Sequence, residues 1–309
     1  MIAHRTDPDL KRPSAPALAA VLWDVDGTLA ETERDGHLPA FNAAFAACGL
    51  PWRWTVSHYR ALLAIAGGRE RLEHDLVRRA DAPQDAAERA ALAERIHRCK
   101  QAIFAERSVR HAPPLRDGVL ELIRDCDEAG VALGIATTTS RRNVAALLSA
   151  HLGAGWQRRF ACVLGAEDAP RKKPDPLVYD LALRRLGIRP EEAVAIEDSP
   201  NGAAAARAAG IAVVVTRSLF FPDAPIPGAL ACGPTLGSTS GWTPVADGSR
   251  IRLQTIRRWL RDRQPAVGSV GPFAARQDLP RPTGRPEHIG TLALPFPLNA
   301  TSTRSPARA

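Results

Sequence analysis

A chain of 309 residues is long enough for one large domain or two smaller ones, and 45% hydrophobic with 24% charged residues is ordinary for a globular protein. No run of about 18 apolar residues occurs, so nothing reads as a membrane span. The net charge is +8, but five arginines against Asp278 and Glu287 lie beyond Gln264; the remaining excess of about +5 lacks aromatic-basic interleaving, which argues against nucleic acid and suits a multiply phosphorylated small molecule.

In chain order, residues 1–17 are polar, carry both signs of charge and lack the apolar core of a secretory signal, so they read as a disordered arm. Asp7 and Asp9 also argue against a transit peptide. Five scattered cysteines, Cys48, Cys99, Cys126, Cys162 and Cys232, contain no CxxC pair and suit reduced thiols, which points to a cytoplasmic location. Ala19 to Trp23 is a short apolar run ending at Asp24, the pattern of a buried parallel strand. Similar runs recur at Val131 to Ala136, Phe160 to Leu164, Ala193 to Ile196 and Ile211 to Val215. Helical patterns at Val119 to Ala129, Asn143 to Ala150, Leu177 to Leu186 and Gly202 to Ala209 separate most of them. Such alternation predicts an α/β fold, a parallel sheet with helices on both faces.

The spacing breaks once. About 110 residues separate the first strand from the second, and Leu38 to Val109 reads almost wholly helical. Phe41, Ala44, Phe45 and Cys48 form one stripe; Leu92, Ile96, Cys99 and Ile103 form another. We expect a helical cap over 33–111 inserted into a core of 18–32 and 112–262, with hinges near Thr32 and Pro113-Pro114. Trp52 and Trp54 are expected inside the cap rather than on a ligand. After Thr216 the order fades, apart from a helix over Arg252 to Asp262. The segment 263–309, with eight prolines beyond Gln264, reads as a disordered tail. Oligomeric state is unreadable, and a monomer satisfies the sequence.

Ligands of open parallel sheets bind at the carboxyl ends of strands. Asp24 and Asp26 stand there, and such a pair can divide nucleophilic attack from proton exchange. Taken alone, Asp-Val-Asp-Gly is equally a common turn. Thr137 and Thr138, after the second strand, can hold phosphate oxygens or can be a threonine-rich turn. Lys173 can bear on a phosphoryl group or belong to a solvated basic turn. Glu197 and Asp198, after the fourth strand, suit magnesium or cap the next helix. The four features together, each at its own strand end, are far more specific than any one.

Asp24 to Thr28, Thr137, Lys173 and Glu197-Asp198 resemble the four motifs of the haloacid dehalogenase (HAD) superfamily over about Val21 to Val215, and the insert resembles its C1-type cap. Leu29 to Glu33, His37, Ala40 to Asn42, Trp52 to Trp54, Gly67 to Arg71 and Thr137 to Ser140 further resemble the CbbY subgroup, whose members accompany carbon-fixation enzymes and hydrolyse xylulose-1,5-bisphosphate, an inhibitor of Rubisco. Arg69 stands where many members have lysine, and Asp117 where many have proline. The resemblance implies a Rossmann-like core and an aspartyl-phosphate formed on Asp24. It implies that Asp26 protonates the leaving sugar oxygen and then accepts a proton from water. Mg2+ would be held by Asp24, the Asp26 carbonyl and Asp198, with Glu197 in support. Thr137 and Thr138 would take phosphoryl oxygens, Lys173 would neutralise charge, and Glu31, His37, Arg69 and Arg71 would grip the sugar or its distal phosphate.

With Asp26 protonated, phosphate, Asp24 and Asp198 sum to about −4, and Mg2+ with Lys173 returns about +3. Each unit-charge contact at ~4 Å is worth roughly 4 kcal/mol at an effective dielectric of 20. The resemblance admits two alternatives to a sugar-phosphate phosphatase: a mutase of the β-phosphoglucomutase kind and a non-catalytic binding protein on the same fold.

Overall fold

The computed structural model describes residues 17–263; the expectations of a disordered arm and a disordered tail fall outside these residues, save for their boundary positions. Six parallel strands, β1 (Ala20–Trp23), β2 (Ala132–Ala136), β3 (Phe160–Leu164), β4 (Ala193–Glu197), β5 (Ala212–Thr216) and β6 (Ala231–Gly233), form one sheet in the order β3-β2-β1-β4-β5-β6. The order reverses at β1, which pairs with both β2 and β4. That reversal opens a crevice at the carboxyl ends, where open sheets bind ligands.

Both faces of the sheet are covered, so its strands read as continuous apolar runs. Val21, Trp23, Ile135, Ile196 and Val214 pack under α5 (Val119–Glu128), α6 (Arg141–Leu152) and α9 (Leu253–Asp262). Leu22, Ala195, Val213 and Val215 face α7 (Leu177–Leu186) and α8 (Pro200–Ala208). Two of these helices begin on serine caps in the loops that line the crevice. The Ser140 hydroxyl accepts from Asn143 N, and that of Ser199 from Gly202 N.

Between β1 and α5 lie a π-helical turn (Glu33–His37), α1 (Leu38–Ala47), α2 (Val56–Leu62), α3 (Gly68–Arg78) and α4 (Ala86–Arg110). Phe41, Phe45, Trp54, Tyr59, Leu72 and Ile96 make a third apolar cluster, separate from the two on the sheet. Trp54 lies inside it, 4.7 Å from the Phe41 ring, and Asn42 holds its backbone through both amide atoms. The two connections to this insert run side by side, joined by an antiparallel bridge between Ala30 and Leu115. Among the described residues, no helix is long and apolar enough to cross a membrane.

The region after Thr216 is better ordered than its sequence suggests. β6 adds a sixth strand, and Cys232 exchanges two backbone hydrogen bonds with Thr243. Trp242 stacks on Trp259 of α9 at 5.3 Å, and Asp125 accepts from Arg250, Arg252 and Leu253 N. These contacts join residues from 11 to 128 positions apart and leave no local period to read. Trp259→Ala should therefore cost about 3–5 kcal/mol, read as a lower urea midpoint, with the crevice residues undisturbed.

Candidate active site

Three strand ends and one loop converge on Lys173. Asp24 follows β1, Ala136 ends β2, Glu197 ends β4, and Lys173 lies in the loop before α7. Lys173 Nζ donates to Asp24 Oδ1 at 2.6 Å, Glu197 Oε1 at 2.6 Å and Ala136 O at 2.8 Å. All three ammonium hydrogens are used. Tyr179, from α7, donates to the same Glu197 oxygen at 2.5 Å. Two glycines make the crowding possible. A Cβ on Gly27 would lie 2.2 Å from Asp198 Oδ2, and one on Gly202 2.0 Å from Glu197 Oε2. At φ +86°, Gly27 also takes a backbone conformation that other residues resist.

Asp24, Glu197 and Asp198 are buried and each offers an oxygen within 4.8 Å of the others. Burial pushes the Asp24 carboxyl up to about 7 despite Lys173, with Glu197 and Asp26 adding to the rise. Burial, then Asp24 and Glu197, carry Asp198 well above the usual range. Lys173 is raised as well: burial would lower it, but the Asp24 and Glu197 carboxylates outweigh burial and hold it charged. Three carboxylates against one lysine leave an excess of negative charge, and Glu197 Oε2 is buried with no hydrogen-bond partner. An all-oxygen donor set with unbalanced negative charge fits a hard divalent cation such as Mg2+.

Asp26 is placed differently. Its Oδ1 accepts from the Thr32 hydroxyl at 2.6 Å and lies 3.1 Å from His37 Nε2. Lys100 Nζ, a pure donor, sits 2.8 Å from His37 Nδ1, so the imidazole carries its proton on Nε2 and donates to Asp26. Burial raises the Asp26 carboxyl, but His37, Thr32 and Lys100 outweigh it and hold the group well below the ordinary range. The sequence-based charge sum assumed a protonated Asp26; these neighbours keep it ionised instead.

The other expected residues divide. Thr138 and Glu31 line the crevice, and Glu31 Oε1 accepts from Leu219 N and faces Arg116 at 3.4 Å. Arg71 also lines it, bonded to Tyr59 and Glu33. Thr137 is buried behind the lining, its hydroxyl accepting from Thr139 N. Arg69 is not among the lining residues; its half-exposed side chain faces Glu73 at 3.5 Å. Two positions apart on α3, Arg69 and Arg71 point about 200° apart, so only one can turn inward.

Sequence reasoning missed Thr32, Lys100, Tyr179 and Lys172. Lys100 had a signal: it lies four residues after Ile96 on the apolar stripe of α4, and burial lowers its ammonium to about 8. Lys172 pairs with Glu70 at 2.6 Å, joining the loop that carries Lys173 to α3.

A family model described as haloacid dehalogenase-like hydrolase matches residues 18–210. The plasmid-encoded protein CbbY of Cupriavidus necator is 47% identical over 248 residues, covering 78% of this chain and 96% of the relative. A phosphoglycolate phosphatase of Xanthomonas campestris is 32% identical, covering 62% of this chain and 80% of its own. Among solved structures, a mutant of CbbY from Rhodobacter sphaeroides in complex with xylulose-(1,5)bisphosphate is similar with TM-score 0.65 and 38% identity. That match covers 72% of this chain and 98% of the other.

The raised Asp24 carboxyl has a sign that can be measured without turnover. Its protonated form contributes stability that is complete below the ordinary value of 3.8 and is lost as pH rises through about 7. The melting temperature of the metal-free protein should therefore fall between pH 5 and pH 8. Asp24→Asn, which cannot ionise, should flatten that slope; an unchanged slope would place the titration elsewhere.

Proposed function

The chain belongs to the haloacid dehalogenase-like hydrolases as a CbbY-like phosphatase, and from that premise we propose a magnesium-dependent sugar-bisphosphate phosphatase whose substrate is xylulose-1,5-bisphosphate. The observation that carries it is the pairing of Asp24, anchored by Lys173 beside Asp198, with a second carboxylate two residues on whose hydrogen bonds come from another part of the chain. The solved CbbY complex with this bisphosphate supports the choice of ligand.

Asp24 attacks phosphorus in line, and the P–O bond to the sugar breaks as the aspartyl-phosphate forms. The leaving oxygen takes a proton from Asp26, which first receives it from His37 Nε2; Lys100 refills the ring at Nδ1. Asp26 then accepts a proton from the water that hydrolyses the aspartyl-phosphate. The Thr138 amide takes a phosphoryl oxygen, Lys173 offsets negative charge from its place beside Asp24, and Thr137 supports the Thr138 loop from behind. A bound Mg2+, held by Asp24, Asp198 and the Asp26 carbonyl with Glu197 nearby, would offset the charge of nucleophile and phosphate.

The crevice is acidic at the strand ends and basic toward the helical insert, where Arg71, Lys100 and Lys172 face it. That polarity suits a ligand with a phosphate at each end. Its volume of about 120 Å3 is well below the ~300 Å3 lower end of ligand clefts. A sugar bisphosphate therefore enters only when the insert moves as a cap. Closure then excludes bulk water from the aspartyl-phosphate. All five cysteines are free thiols, the state of a reducing compartment, and we place the reaction in the cytoplasm. A role beside carbon-fixation enzymes follows from the substrate.

Purified protein with Mg2+ should release phosphate from xylulose-1,5-bisphosphate, and Asp24→Asn should lower that rate by at least about 10³-fold. Glucose 6-phosphate formed instead from β-glucose 1-phosphate and its bisphosphate primer would make the protein a mutase. No turnover of either, with Mg2+ bound, would make it a binding protein.

The placement of the two arginines and Lys172 makes a separate prediction. Lys172→Ala should weaken kcat/KM for the bisphosphate by about tenfold more than for an aryl phosphate, while Arg69→Ala should change neither by more than about twofold. Equal losses on both substrates would remove Lys172 from distal-phosphate recognition.

A further inference from the structure

Arg116 lies in the connection that returns the chain from the insert to the sheet. Leu115 forms the bridge to Ala30, and Arg116 N donates to Leu29 O at 2.8 Å, so its backbone is pinned to the outgoing connection. Its side chain, 10% exposed, reaches under the carboxyl ends of the strands. Nη1 donates to Gly27 O and to Thr216 O at 3.0 Å. Nη2 donates to Arg217 O at 2.5 Å and Pro234 O at 2.9 Å. Nε faces Glu31 at 3.4 Å. Five N–H groups thus meet acceptors from the loops after β1, β5 and β6 and from Glu31, more than an ammonium can serve.

What these loops share is Asp198. Gly27 packs so closely on its Oδ2 that no side chain fits between them, and Ser218, one residue after Arg217, closes the other side of the same spot, its Cβ 3.3 Å from where a Gly27 Cβ would stand. Both backbone walls around Asp198 are therefore held by one guanidinium that touches neither carboxylate oxygen. Resting on the phosphatase reading above, we propose that Arg116 is a positioning residue for the Mg2+ site: it fixes the Gly27 and Arg217 carbonyls, and through them the orientation of Asp198. A cation this near the site works against metal binding by charge alone. Its contribution must then be order, and loss of the fork with retention of the charge isolates that contribution.

Arg116→Lys performs that separation. Calorimetric Mg2+ titration of the full chain should show affinity weakened about tenfold or more, the range for residues that orient a ligand without touching the metal. kcat should recover in part at high Mg2+, with KM for the bisphosphate within about twofold of wild type. Ser218→Ala, which removes a hydroxyl from one wall and no charge, should weaken Mg2+ binding in the same direction at unchanged melting temperature. Wild-type Mg2+ affinity in folded Arg116→Lys overturns the proposal. If that variant does not fold, wild-type affinity in Ser218→Ala overturns it. Wild-type protein that binds no Mg2+ instead overturns the phosphatase reading itself.

Discussion

Everything at the crevice depends on one buried ammonium. Lys173 is 5% exposed, and a charge removed from water so completely persists only when its hydrogen-bonding capacity is filled. Its three acceptors come from three adjacent strands, β1, β2 and β4, so the lysine is satisfied only when the sheet has its observed order. The same bonds fix Asp24, whose carboxyl would otherwise rotate freely at a strand end. Tyr179 takes part from α7: by donating to Glu197, it keeps that carboxylate aimed at the lysine. Fold and the placement of Asp24 are therefore not separable here, because the ion pair that orients Asp24 is also a joint between strands.

Lys173 nevertheless does not neutralise its surroundings. With Asp24, Glu197 and Asp198 sharing one lysine, the metal-free site holds carboxylates that burial disfavours, and Asp24 is pushed up to about 7. The strain is electrostatic rather than steric, since glycines at 27 and 202 have removed the side chains that would collide. A divalent cation would relieve it by supplying charge where charge is missing. In the reaction proposed, the same deficit of positive charge meets the phosphoryl group.

Sequence pattern made much of this legible, for physical reasons that also explain its limits. The five longer strands were readable because both faces of a parallel sheet are buried, leaving uninterrupted apolar runs; Phe160–Leu164 was read to the residue. Asp24, Lys173 and Asp198 were readable because each follows a strand or its loop, where open sheets place chemistry. β6 was not, because three residues between glycine-rich turns carry no period and owe their pairing to Trp242 and Thr243. Arg69 and Arg71 could not be told apart without the helix phase. Lys100 was hidden for the opposite reason: a lysine on an apolar stripe reads as a solvated charge until a partner such as His37 is seen across the helix pair.

That partner shows how the two parts of the site are coupled. Asp24 is held entirely by the sheet and the loops at its edge, whereas Asp26 takes its hydrogen bonds from Thr32 and His37, with Lys100 bonded to the far side of His37, and all three lie in or beyond the connection to the helical insert. His37 stacks on Phe104 of α4 at 4.1 Å, and Lys100 lies over both Phe41 and Phe104, so the donors to Asp26 are packed as part of the insert's own core. Any motion of the insert away from the sheet must carry these donors with it or break their contact with Asp26. In the reaction proposed, the Asp26 carboxylate would then be tuned only while the insert is closed over the crevice. Asp24 and Asp26 sit two residues apart in the chain, yet one is held by the sheet and the other by the helical insert.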